Sequence, residues 1–125
     1  MEHQGKWLDA FLACRKYYDN EGTEAWEHTL QTFEAAFKNS ALGAKEKHLM
    51  AVCLGIKDHC APCTLGHLQA AITAGAGREE ILETIGVALS MGGTTIMGGA
   101  WRVFQRMTEL GMFPERKSEF PEKGA

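Results

Sequence analysis

The chain is predicted to be all-α, a single bundle of about six helices, and three observations carry that reading. Apolar residues recur at three- and four-residue intervals in one segment after another, beginning with Trp7, Leu8, Phe11 and Leu12. No stretch alternates apolar and polar residues over a convincing strand length. Prolines stand only at positions 62, 114 and 121, so no long helical run is interrupted before the C-terminal end.

The first helix contains those four apolar residues and ends near Asp19-Asn20-Glu21-Gly22. Thr23 is placed to cap a second, whose Trp26, Leu30, Phe33 and Phe37 form an apolar stripe expected to face the core. Asn39-Ser40-Ala41-Leu42-Gly43 reads as a turn. From Ala44 to about Lys57, the residues Leu49, Met50, Val52, Cys53, Leu54 and Ile56 are apolar on most sides. That suits a buried helix, although β-branched residues leave a strand open for its second half. Asp58-His59 is the break that follows.

Pro62 suits the first turn of the next helix, where its missing N–H costs little. This helix runs through Leu65, Leu68 and Ile72 to Gly75-Ala76-Gly77, with Ala70, Ala71 and Ala74 allowing close approach. Arg78-Glu79-Glu80 opens a fifth helix, with Ile81, Leu82, Ile85, Val87, Ala88 and Leu89 expected to face inward. Met91-Gly92-Gly93-Thr94-Thr95 interrupts the pattern. The last helix, from about Ile96 to Leu110, carries Trp101, Val103, Phe104 and Met107. The Pro-, Lys- and Glu-rich tail from Phe113 is expected to fray. Residues 1–125 thus read as one domain, with N-terminal helices over 1–40, a motif-bearing core over 44–111 and a tail over 113–125.

Apolar residues make up 45% and charged residues 23% of the 125, the composition of a globular protein with one core. A formal net charge of -3 argues against a nucleic-acid partner. No run approaches the ~20 apolar residues of a membrane span. Met1-Glu2-His3-Gln4-Gly5 lacks the basic start and apolar run of a signal peptide. The expected location is cytoplasmic, where the cysteines read as redox-active, metal-bound or free before they read as structural bridges.

The most informative motif is Cys60-Ala61-Pro62-Cys63, followed by Thr64-Leu65-Gly66-His67. On a helix, Cys60, Cys63 and His67 fall within a sector of about 60°. A dithiol beside a proton carrier is what reversible thiol chemistry requires. A helix beginning near Pro62 also aims unpaired N–H groups at its N-terminal cysteines, which favours thiolate. Zinc binding by the two thiols with His48, His59 or His67 stays open on spacing alone, as do inert thiols. Cys14 and Cys53 lie in apolar helical patterns and read as small core residues. His48 leads into the dithiol turn and is the second candidate imidazole, with His59 a weaker one. His3 and His28 read as surface. The aromatic stripes (Trp26, Phe33, Phe37, Trp101, Phe104) read as core rather than as a cofactor box, and no cofactor is expected.

From Ala44 to Leu110 the chain resembles the alkylhydroperoxidase D-like branch of the carboxymuconolactone decarboxylase family. The resemblance rests on Lys45 to Ala51, on Cys60-Ala61-Pro62-Cys63 with His67, on Ala70 to Ile81, and on Met91-Gly92-Gly93 followed by Gly98-Gly99-Ala100. It implies an all-helical fold, assembly as a homo-oligomer (trimer or hexamer), and peroxidase or disulfide-reductase activity. It also implies that Cys63 is the reactive thiol, Cys60 its resolving partner and His67 part of a proton relay. The relay usually includes a glutamate twelve residues before the first cysteine. His48 occupies that position here, and the nearest carboxylate in sequence is Glu46. Peroxidase members can carry a His between the cysteines, where this chain has Pro62.

The expectation is therefore a thiol-dependent peroxidase or disulfide oxidoreductase acting through Cys60, Cys63, His67 and His48. Its substrate would be a peroxide or a disulfide, restored by an external dithiol or a partner protein. The alternatives are a lyase of the decarboxylase branch, which acts on a lactone acid without a CxxC, and a non-catalytic zinc-binding or oligomeric module. Apolar bulk on the first and last helices, including Trp7 and Phe11, is the sequence sign of association with further copies.

Overall fold

The computed structural model describes residues 3–115. Six helices follow one another: α1 (Gln4–Glu21), α2 (Glu24–Phe37), α3 (Ala44–Lys57), α4 (Ala61–Thr73), α5 (Arg78–Gly92) and α6 (Thr94–Glu109). Among the described residues there is no strand, so the β-branched half of α3 is helical. Of the tail expected to fray, residues 116–125 lie outside the described residues.

The core sits among α3, α4, α5 and α6. Val52 and Ile56 of α3, Leu65 and Leu68 of α4, Ile81 of α5, and Val103 and Met107 of α6 are all but inaccessible to solvent. Each such side chain contributes about 1.5–3 kcal/mol by leaving water. The helices approach backbone to backbone because glycine stands at the crossings. A Cβ on Gly55 would lie 2.8 Å from the Thr64 nitrogen of α4, and one on Gly99 would lie 2.6 Å from the Ile56 carbonyl oxygen. Any side chain at either position would force α3 away from its neighbours.

The chain reverses after α3, α4 and α6 by one device. In each, the residue after the C-cap takes a left-handed conformation, and the N–H of the next residue reaches a carbonyl five positions back. The bonds are Cys60 N–H to Gly55 O (2.9 Å), Ala76 N–H to Ala71 O (2.9 Å) and Met112 N–H to Met107 O (2.9 Å). The left-handed residue is Gly75 (φ 102°) after α4 and Gly111 (φ 73°) after α6. After α3 it is His59 (φ 52°), an L-residue in a conformation that favours glycine.

The two N-terminal helices differ from this core. Only the first two turns of α1 are buried, through Gln4, Gly5 and Leu8. Glu109 of α6 accepts the N–H groups of Gln4 and Gly5 (2.7 and 2.9 Å), and these two would otherwise go unpaired at the helix start. Beyond Leu8 the helix outruns the core, so Cys14 is exposed rather than a core residue. Cys53, expected to be fully interior, is half-buried. The expected core stripe of α2 is also corrected: no α2 residue is buried, and Phe33 is exposed. Four helices already close the core, so α2 lies outside it and packs chiefly on α3. Trp101 and Phe104 are likewise only half-buried.

Val87 and Leu89, expected to face inward, are exposed, as are Met50 and Leu54. The inward face of α5 is the narrower stripe Ile81, Ile85 and Ala88, and among the described residues no further helix covers the outer side of the α3–α5 pair.

Candidate active site at the dithiol turn

The turn between α3 and α4 fixes the cysteines. With His59 reversing the chain, Cys60 becomes the N-cap of α4, and its sulfur accepts the Cys63 N–H (3.3 Å). Thr64 is buried and its hydroxyl donates to the Cys60 carbonyl (2.9 Å), fastening the turn from inside. Pro62 occupies the first turn of α4, as its missing donor allows. Cys60 and Cys63 are joined as a disulfide, with Cα atoms 5.3 Å apart. Cys63 is the exposed member and Cys60 the half-buried one. Helical spacing puts His67 one turn beyond Cys63 on the same face.

Side-by-side packing of α3 and α4 brings His48 to His67, with their Nδ1 atoms 3.0 Å apart. One ring must donate from Nδ1 and the other accept there, carrying its own proton on Nε2. The pair therefore holds one extra proton without losing the bond and loses it with two. Phe37, the last residue of α2, lies over both rings, its centroid 4.6 Å from that of His48 and 4.9 Å from that of His67. Burial holds His48 below the ordinary imidazole value of 6.5. His67 is held below it too, first by burial, then by the His48 and Arg15 charges. Glu46, the nearest carboxylate in sequence, instead reaches Lys45 (3.7 Å).

The pair opens on a cavity of about 570 Å³ between α1, α3 and α4. Leu8, Phe11 and Leu12 of α1 form one wall, with Pro62 and Gly66 on either side of Cys63 along α4. Arg15 enters from α1, its guanidinium 5.7 Å from the centre of the Trp26 ring.

Of the four residues singled out by sequence, the structure joins Cys60 to Cys63 and His48 to His67. His59 is not part of this arrangement; it serves the chain reversal. His3 and His28 lie at the surface, as expected. Among the described residues, no three or more His, Cys, Asp or Glu side chains converge as metal ligands. Sequence reasoning missed Phe37 and Arg15 as parts of the site. An aromatic stripe and one arginine in a mixed helix give no signal of which face meets the imidazoles.

Residues 24–106 match the carboxymuconolactone decarboxylase family. An uncharacterized protein of Cupriavidus necator is 35% identical over 60 residues, a match spanning 48% of this chain and 53% of that protein. The chain thus aligns with about half the length of that curated relative. Among solved structures, a carboxymuconolactone decarboxylase family protein of Legionella pneumophila is 32% identical, covering 86% of this chain and 93% of its own, with a TM-score of 0.72. The Thermotoga maritima protein TM1620 shares the fold at 24% identity, covering 88% of this chain and 96% of its own, with a TM-score of 0.77. Involvement in an antioxidative response has been suggested for that Thermotoga protein. No helix among the described residues is long and apolar enough to cross a membrane. The family match over α2 and the core, together with the Legionella structure, makes this chain a member of the carboxymuconolactone decarboxylase family.

Proposed function

We propose that this protein is a thiol-dependent peroxidase or disulfide oxidoreductase of the alkylhydroperoxidase D-like branch. The observation that carries the reading is a disulfide-forming CxxC on the helix that also presents one ring of a hydrogen-bonded imidazole pair. His48 accepts the Nδ1 proton of His67, which leaves the His67 Nε2 lone pair free to take the proton of Cys63. The Cys63 thiolate attacks the peroxide oxygen. The O–O bond breaks, the leaving alkoxide takes the proton from His67, and Cys63 becomes a sulfenic acid. Cys60 displaces water from it and closes the Cys60–Cys63 disulfide. With a disulfide substrate, Cys63 attacks one sulfur and the other leaves as a thiol with the proton from His67; Cys60 then attacks Cys63 in the mixed disulfide, releasing the second substrate thiol as the Cys60–Cys63 disulfide closes. An external dithiol then reduces the pair by exchange, itself becoming a disulfide. Exposed Cys63 is the sulfur such a reductant reaches.

The neutral partner distinguishes this relay from one built with glutamate. A carboxylate would favour the protonated form of His67, whereas a second imidazole does not. The same reading includes a cytoplasmic location and a homo-oligomer. An open apolar groove of about 310 Å³ lined by Leu54, Val87 and Met91 supports association with further copies.

Peroxide consumption coupled to a dihydrolipoyl or thioredoxin-type reductant tests the proposal. Turnover is expected in the parent protein, with a loss of at least about 100-fold in Cys63→Ser. Peroxide turnover that survives Cys63→Ser would contradict the role given to Cys63, and decarboxylation of a lactone acid that survives it would point instead to a lyase.

A further inference from the structure

We propose that the cavity beside the imidazole pair binds an organic monocarboxylate, its apolar chain against α1 and its carboxylate on Arg15. The inference rests on the thiol-site reading for its catalytic meaning, since it names the class of substrate that site receives. Its binding claim stands on geometry alone. The cavity falls in the size range of small-molecule sites. Its α1 wall is Leu8, Phe11 and Leu12, and Ala70 and Ala74 face them from α4. Such walls take a hydrocarbon chain, with Gln69 and Thr73 the polar side chains that line the cavity beside them.

Among the described residues, Arg15 is the single Lys, Arg, Asp or Glu side chain in this lining. Its guanidinium carbon lies 5.7 Å from the centre of the Trp26 ring, a contact that does not neutralise its charge. An arginine lining such a cavity can offer its forked donors to a ligand, and a carboxylate matches that fork with two parallel hydrogen bonds. The local charge also opposes that of the whole chain, which is -3, so the cavity is a cationic spot on an acidic protein.

A second observation ties the cation to the chemistry. The Arg15 charge is one of the influences that disfavour a proton on His67. A carboxylate on Arg15 would neutralise that influence and ease proton uptake by His67 when a substrate is seated. Apolar chain and anionic end would then be held by two walls of a cavity that the imidazole pair also lines.

Calorimetric titration of the disulfide form with octanoate and with octanol tests this without any turnover. Octanoate is expected to bind the parent protein about 10- to 100-fold more tightly than octanol, the range for a hydrogen-bonded charged group. Arg15→Gln should bring octanoate down to the octanol level and leave octanol unchanged, while Arg15→Lys should retain part of the preference. In NMR titrations octanoate should raise the pH at which His67 protonates in the parent and not in Arg15→Gln. Equal binding of the two ligands by the parent, no saturable binding of either, or an undiminished octanoate preference in Arg15→Gln would overturn the proposal. If Arg15→Gln fails to fold, the two-ligand comparison on the parent and Arg15→Lys still decides. Loss of peroxide turnover with octanoate binding intact would instead count against the thiol reading.

Discussion

The α3–α6 core and the α1–α2 layer are built differently, and the candidate site lies where they meet. The core supplies the dithiol, His48 and His67 from helices whose backbones touch at Gly55 and Gly99. The outer layer supplies half-buried Phe37 and Arg15 from helices whose buried residues are only Gln4, Gly5 and Leu8 among those described. Chemistry thus stands on the rigid part, while the groups that cover it and select a ligand stand on the part with few contacts. Regions with few buried apolar contacts open at low free-energy cost, so access to the imidazole pair is governed by α2 and α1 rather than by the core.

The largest expected effect comes from the core side of this comparison. Leu68→Ala removes a fully buried side chain and should cost about 2–5 kcal/mol in urea unfolding. Phe33→Ala, on the exposed face of α2, should fall within about 0.5 kcal/mol of the parent. Equal losses for the two would show that α2 is part of the core after all.

Phe37→Ala sharpens the contrast from the other side. It should cost less than Leu68→Ala, about 1–2 kcal/mol, yet move both imidazoles back towards 6.5 as water reaches them. NMR titration of the ring protons reads this directly. Phe37→Tyr keeps the ring and should leave the midpoints close to those of the parent.

Proton linkage gives a third test. Folded, His48 and His67 protonate below 6.5, the ordinary value to which they return on unfolding. Between the two values the unfolded chain binds more protons, so stability falls as the pH drops below 6.5 and is unaffected by this pair above it. His48→Glu should raise the His67 midpoint by placing a negative charge at the pair, and should therefore blunt that acid loss.

The smallest effect concerns the turn. His59→Gly relieves a left-handed L-residue (φ 52°) and should stabilise the fold by up to about 1 kcal/mol in urea unfolding. The dithiol should stay in place, since Gly75 and Gly111 already serve the same motif. A destabilised variant would mean that the His59 side chain holds the turn.

How much of this was legible follows from which residues carry local signals. The six helices announce themselves by periodicity, and α4 by Pro62 and the CxxC at its start. The pairing of His48 with His67 depends on how α3 and α4 lie against each other, which spacing along one helix does not encode. For α2 the periodicity was right and its meaning was not: an amphipathic stripe reports a partner, and for Phe37 that partner is an imidazole pair. Exposure of Val87 and Leu89 was illegible for a related reason, because apolar character does not distinguish a core from a surface that other chains cover. Cys14 read as core for its neighbours' sake, but α1 continues past the body it packs on.

The central claim is that Cys60 and Cys63 act as a redox pair while the other two cysteines do not, and a thiol count tests it most directly. The fully reduced protein, whose chain carries 4 cysteines, is treated with one equivalent of peroxide, unfolded and counted. The account predicts that two thiols disappear together, that Cys14 and Cys53 remain alkylatable, and that a dithiol reductant restores all four. Four thiols surviving peroxide, or loss that falls on Cys14 or Cys53 instead, would contradict it.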